Sequence, residues 1–141
     1  MSSSTHASRS SFRITTHAST RLDERINPST FSLPQSTSYS SKTFQTLAHA
    51  AKYNGFSITS LDPSNASFYN LTPEIIHYIK SRYMPKTSSG RNYFYRGYIY
   101  IFRGHKARTL ITAFPLTVPE TDQRPFSRLV ASQLEELYPN R

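Results

Sequence analysis

His17, Arg21, Arg96 and His105 are residues of the types that move protons and hold phosphates, and the chemistry they would serve is metal-independent RNA cleavage. RNA can be cut by attack of its own 2′-hydroxyl on the adjacent phosphate. A protein need only align that attack, take up one proton, give another to the leaving oxygen and stabilise the crowded anionic phosphorus. Imidazole and guanidinium groups suffice for those tasks. Other chemistries lack their residues. The chain has no Cys, which excludes a thiol nucleophile, a thiolate zinc site and a disulfide scaffold. Its 8 Asp and Glu are dispersed, and no carboxylate-rich two-metal centre is visible among them. Neither a metal nor a cofactor is expected.

A polyanion also needs cations and flat rings. From Ile75 through Pro119 there is no Asp or Glu, while Arg91, Arg96, Arg103, Lys106 and Arg108 lie in that span together with Tyr95, Tyr98 and Tyr100. The net charge of +9 from 17 Lys and Arg has the same sign. Cationic and aromatic groups on one sheet suit phosphates and stacking bases, and RNA is the first partner to consider. Two other readings remain open at this point. One is a nucleic-acid-binding module without catalysis, and the other is a phage or mobile-element protein whose basic face inhibits an acidic host protein.

These residues need a scaffold. The run from residue 92 to 118 reads as a β-hairpin reversing at Arg103–Ala107, where Gly104 permits the turn. Read as one continuous strand, its first arm puts Tyr93, Tyr95, Gly97, Ile99 and Ile101 on one face. Phe94, Arg96, Tyr98, Tyr100 and Phe102 fall on the other. Such a strand is central, with helices on one side and a partly wet aromatic surface on the other. Arg96 then needs an anion, or else stacks on Tyr98 or Phe94 with its head in water. His105 falls in the turn, where an exposed histidine is the default.

Four helices surround this hairpin. The first runs from a Thr15 or Thr16 cap to about Asn27, with Ala18, Leu22 and Ile26 as its apolar stripe and His17, Arg21 and Arg25 beside it. The second starts at Ser41, buries Phe44, Leu47, Ala48 and Ala51, and stops at a left-handed Asn54-Gly55. Phe56–Thr59 reads as an edge strand. Thr72-Pro73-Glu74 opens the third helix in the order cap, proline and early acid. The fourth presents Phe126, Leu129, Val130, Leu134 and Leu137. The expectation is an α+β domain over residues 12–141, with an antiparallel sheet of three to four strands, preceded by a disordered leader at residues 1–11. That acid-free, Ser- and Arg-containing start also has the composition of a mitochondrial transit peptide. No apolar run approaches the roughly 20 residues that span a bilayer. A cytoplasmic protein with no membrane partner is expected, its oligomeric state open.

The segment Ile14-Thr15-Thr16-His17-Ala18-Ser19-Thr20-Arg21-Leu22-Asp23-Glu24-Arg25, taken with the Tyr-rich strand and Thr109-Leu110-Ile111-Thr112-Ala113-Phe114, resembles small RelE-like ribonuclease toxins. Those proteins open with a T-x-H-A-x-x-R-x-x-E-R helix and end in an I-T-V-Y-like strand. The resemblance covers about a third of the chain. It implies helices on a curved antiparallel sheet, an acidic antitoxin or immunity protein as partner, and roles for His17, Arg21, Arg25 and Thr112. The chain departs from the pattern in its two extra helices between Lys42 and Met84, and in Ala113-Phe114 where Val-Tyr is usual.

Overall fold

The computed structural model describes residues 12–25 and 41–139. The expected leader, the extension of the first helix to Ile26 and Asn27, and the polar loop before Ser41 lie outside the described residues. Among the described residues are four α-helices: α1 (Thr16–Arg25), α2 (Ser41–Asn54), α3 (Pro73–Tyr83) and α4 (Pro125–Leu137). The strands are β1 (Arg13–Ile14), β2 (Phe56–Ser57), β3 (Arg91–Tyr95), β4 (Tyr98–Arg103) and β5 (Thr109–Pro115).

Local chemistry sets the helix starts. The Thr15 hydroxyl oxygen accepts from the Ala18 amide at 3.0 Å, and that of Thr72 accepts from the Ile75 amide at 3.2 Å with Pro73 in the first turn. The end of α2 differs from expectation. Among the described residues, positive φ angles are confined to Asn70, Arg96, Gly97, Gly104, Lys106 and Ala107, so no left-handed residue stops that helix. Gly55 stands there because the chain turns tightly into β2: a Cβ would collide with the Ala51 carbonyl oxygen and lie 2.8 Å from that of Phe94.

The sheet is α+β in class but larger than expected and mixed, in the order β1-β5-β4-β3-β2. β1 runs parallel to β5, tied by Arg13 N–H to the Arg108 carbonyl at 2.9 Å and Thr15 N–H to that of Leu110 at 3.3 Å. A two-residue strand carries no alternation to read, and its partner lies far along the chain.

The aromatic run does not form one continuous strand. Arg96 (φ 51°) and Gly97 (φ 84°) are both left-handed and make a two-residue turn that pairs Tyr95 with Tyr98. This geometry matches the twist of the strands it joins. Arg96 therefore leaves the sheet. The reversal also changes the faces, since paired residues point the same way: Tyr93, Tyr95, Tyr98, Tyr100 and Phe102 share one side with Leu110 and Ala113, packed under α1 and α2. Phe94, Ile99, Ile101 and Phe114 share the other, packed against α3 and α4. A bulge between Ile101 and Phe102 in the pairing with β5 leaves Ile111 without an opposite residue, so that Leu110 and Ala113 lie on one face.

Both faces of the sheet are thus covered, in place of the partly wet aromatic surface expected on one. Burial of each large side chain contributes about 1.5–3 kcal/mol before chain entropy is set against it. α4 is rotated relative to its apolar pattern: Val130 and Leu134 are buried, whereas Phe126, Leu129 and Leu137 are exposed by 40% or more. The Ser127 hydroxyl, donating to the Asp122 carboxylate at 2.7 Å, fixes that first turn.

Candidate nucleic-acid interface

β4 ends at Arg103, and the chain reverses through Gly104 (φ 85°) into a short 3₁₀ turn, His105–Ala107. Within it Lys106 and Ala107 adopt positive φ (57° and 51°), and Ala107 tucks under the sheet while His105 and Lys106 stay exposed. Lys52, in the last turn of α2, holds this reversal. Its ammonium donates to the carbonyl oxygens of Lys106 at 2.6 Å and Ala107 at 3.2 Å. The Phe12 ring lies near both Lys52 and Arg108, its centroid 5.5 Å from the first and 5.6 Å from the second.

β3 brings a second set of cations to the same end of the sheet. The Arg91 guanidinium donates to the carbonyls of Ser88 at 2.9 Å and Gly90 at 2.7 Å, which fixes its direction. Arg103 donates to the Phe102 carbonyl at 3.0 Å and to the buried Asn92 side chain at 3.4 Å. Gly90 is needed for that placement, since a Cβ there would lie 2.8 Å from the Arg103 guanidinium.

Lys52, Ser89, Arg91, Tyr93, His105 and Lys106 line one open pocket of about 320 Å³. No carboxylate of the described residues lines it. Partial burial, then the charges of Arg108 and Arg91, pull the Lys52 pKa below its ordinary value. A ligand anion entering the pocket would relieve that repulsion. Among the described residues no group of His, Asp and Glu could hold a metal ion, and no helix is long and apolar enough to cross a membrane.

Of the residues singled out from sequence, Arg91, His105 and Lys106 line this pocket and Arg103 and Arg108 adjoin it through the contacts above. The others lie elsewhere. His17 is exposed on α1, and Arg21 pairs with Glu24 at 2.8 Å. Arg25 donates to the Ala113 carbonyl at 2.9 Å, a contact that seats α1 on β5. Arg96 and His105 stand beyond opposite ends of β4, a strand about 20 Å long. The four catalytic candidates are therefore not assembled in one place.

Tyr98 and Tyr100 are fully buried and cannot stack a base, because α1 and α2 cover their face. Tyr95 is half-buried against the same core. Thr112 pairs with Ile101 and faces the α3 side, away from α1 and from His17. Lys52, Ser89 and Tyr93 were not singled out as site residues. No local spacing ties Lys52 to Lys106, whose contact spans 54 residues.

The chain has no match among protein-family models, curated proteins or solved structures.

Proposed function

We propose that this protein binds nucleic acid by gripping the sugar-phosphate backbone in the pocket beside the β4–β5 turn. The observation that carries this reading is the convergence of Lys52, Arg91, His105 and Lys106 on one cavity that no carboxylate of the described residues lines. Cations held apart from any internal counter-charge are neutralised by a polyanion, which releases the polyanion's own counterions. The test is affinity for RNA and DNA as a function of salt. Arg91→Ala and Lys106→Ala should each flatten the log–log salt slope by about 1 and weaken binding to all sequences alike. Binding that ignores salt, or slopes equal to the wild type, would refute the proposal.

A second reading, RNA cleavage without a metal, is favoured by one feature: His105 shares the pocket with Tyr93, Arg91 and Lys52. In it His105 moves the proton, in place of His17, and Arg91 and Lys106 stabilise the phosphorane-like charge. It requires cleavage in EDTA that leaves 2′,3′-cyclic phosphate ends and is lost in His105→Ala. Intact RNA at high protein excess, with binding retained, would leave the binding reading alone.

A further inference from the structure

At the other end of β3 lies a second cavity, of about 230 Å³, whose walls are mainly aromatic. The Phe56 and Tyr69 rings meet edge to face at 4.9 Å, and Tyr138 meets Phe94 in the same way at 5.8 Å. Phe68 packs on one of the wall residues, its ring 5.3 Å from that of Tyr69, and is 78% exposed. No other large apolar side chain among the described residues is as bare. A phenylalanine held in water against a wall residue of an aromatic cavity presents a face that a flat ring can cover.

The polar groups at this cavity match the same kind of guest. Asn54 and Asn70 line it, and a carboxamide offers a donor and an acceptor side by side, the pattern that pairs with base edges. Arg96, on the turn that closes β3, adds a cation. The chain also links the two cavities. Lys52 and Asn54 belong to the same last turn of α2, and Tyr93 and Tyr95 are alternate residues of β3, about 7 Å apart. From Arg91 to Tyr95 the strand covers about 13 Å, the span of about five stacked nucleotides.

We propose that the aromatic cavity walled by Tyr69, against which Phe68 packs, receives an unpaired base of a single strand, RNA or DNA, whose phosphates lie in the cationic pocket. The inference rests on the phosphate-binding reading above and adds to it a preference for single strands, because a paired base cannot enter. Arg96 then belongs to the base end of the site and His105 to the phosphate end, which explains why these two conspicuous polar side chains stand so far apart.

The test uses the full chain and fluorescence anisotropy with five-nucleotide RNA and DNA strands. In one series each position in turn is made abasic, which keeps the phosphate and removes the ring. One abasic position should lower affinity about tenfold. Phe68→Ser should weaken the intact strand by a similar factor and abolish the difference between intact and abasic strands, while Phe68→Tyr restores both. Because Phe68 is exposed, its replacement leaves the core untouched, and an unchanged urea midpoint checks this. The duplex of the same sequence should bind more weakly than the strand. A flat abasic series with salt-dependent binding intact, or a Phe68→Ser protein that binds like the wild type, overturns the base site alone. Failure of every strand to bind at any salt overturns the phosphate pocket as well.

Discussion

The Lys52 ammonium donates to the Lys106 carbonyl oxygen at 2.6 Å, and so fastens the end of α2 to the turn between β4 and β5. The contact crosses from helix to sheet and orients the cationic pocket. It also places one more positive charge beside Arg91 and Arg108.

That crowding has a pH signature. Burial and then the two arginines hold the Lys52 pKa below the ordinary lysine value, so the charged form is harder to keep in the folded protein than in the unfolded chain. The resulting penalty is present at neutral pH and is relieved as pH rises through the depressed folded pKa towards the ordinary value of about 10.4. Wild-type stability should therefore gain on that of Lys52→Met as pH is raised from about 7 to about 10, measured by urea denaturation. Parallel profiles would show that the lysine does not carry the effect.

Tyr98 and Tyr100 offer a matched pair. Both rings are fully buried, but the Tyr98 hydroxyl donates to the Arg25 carbonyl at 2.7 Å whereas the Tyr100 hydroxyl has no partner among the described residues. Tyr98→Phe should cost about 1–2 kcal/mol, since it leaves the carbonyl at the end of α1 unsatisfied. Tyr100→Phe should be neutral or stabilise by about 1 kcal/mol, because it removes a buried hydroxyl without a bond. Equal losses in the two variants would contradict the assignment.

Asp122 organises the start of α4. Hydrogen bonds from Arg124 first, and from the Ser127 hydroxyl, hold its carboxyl well below the usual carboxylate range. With the folded pKa depressed, its contribution is present above the unfolded value and is lost as pH falls towards the folded one. Asp122→Asn should be less stable than the wild type at neutral pH, and the gap should close as pH drops below about 4. Thermal melts across that range decide it. A gap undiminished in acid would mean that the carboxylate charge is not the cause.

The Arg96–Gly97 turn predicts opposite effects at neighbouring positions. At φ 84°, with the Tyr138 ring 3.0 Å from any added Cβ, Gly97→Ala should destabilise by about 1–3 kcal/mol. Arg96 occupies a left-handed position that asparagine adopts more readily, so Arg96→Asn should stabilise by about 0.5–1 kcal/mol. Chemical denaturation of both variants checks the turn directly. A loss of stability in Arg96→Asn would show that the guanidinium itself supports the fold.

Local grammar made much of this architecture legible. Thr72-Pro73 starts α3, and Phe44, Leu47, Ala48 and Ala51 are the buried face of α2, as their spacing requires. Phe56 and Ser57 pair with β3 at the edge expected there, but the strand stops short of Thr59 because Ile58–Ser60 turn into a 3₁₀ helix. The turn inside the aromatic run was less visible. Tyr, Phe and Ile suit either face of a covered sheet, so alternation gives the same pattern with or without a reversal, and only Gly97 within the run signalled it.

The site divides in the same way. Sequence alone determined that Arg91, Arg103, His105, Lys106 and Arg108 belong to an acid-free stretch, because charge is a property of composition. It also determined that Thr15 or Thr16 would open the first helix, since a cap acts within one turn. Only the tertiary structure decided that Lys52 joins those cations, that Tyr98 and Tyr100 are core, and that Arg96 and His105 lie apart. Those outcomes depend on strand register and on which face each helix covers. Register is settled by hydrogen bonds and packing between residues distant in the chain, and the reversal that sets Tyr95 opposite Tyr98 puts every aromatic side chain beyond it on the face opposite to that of an unbroken strand.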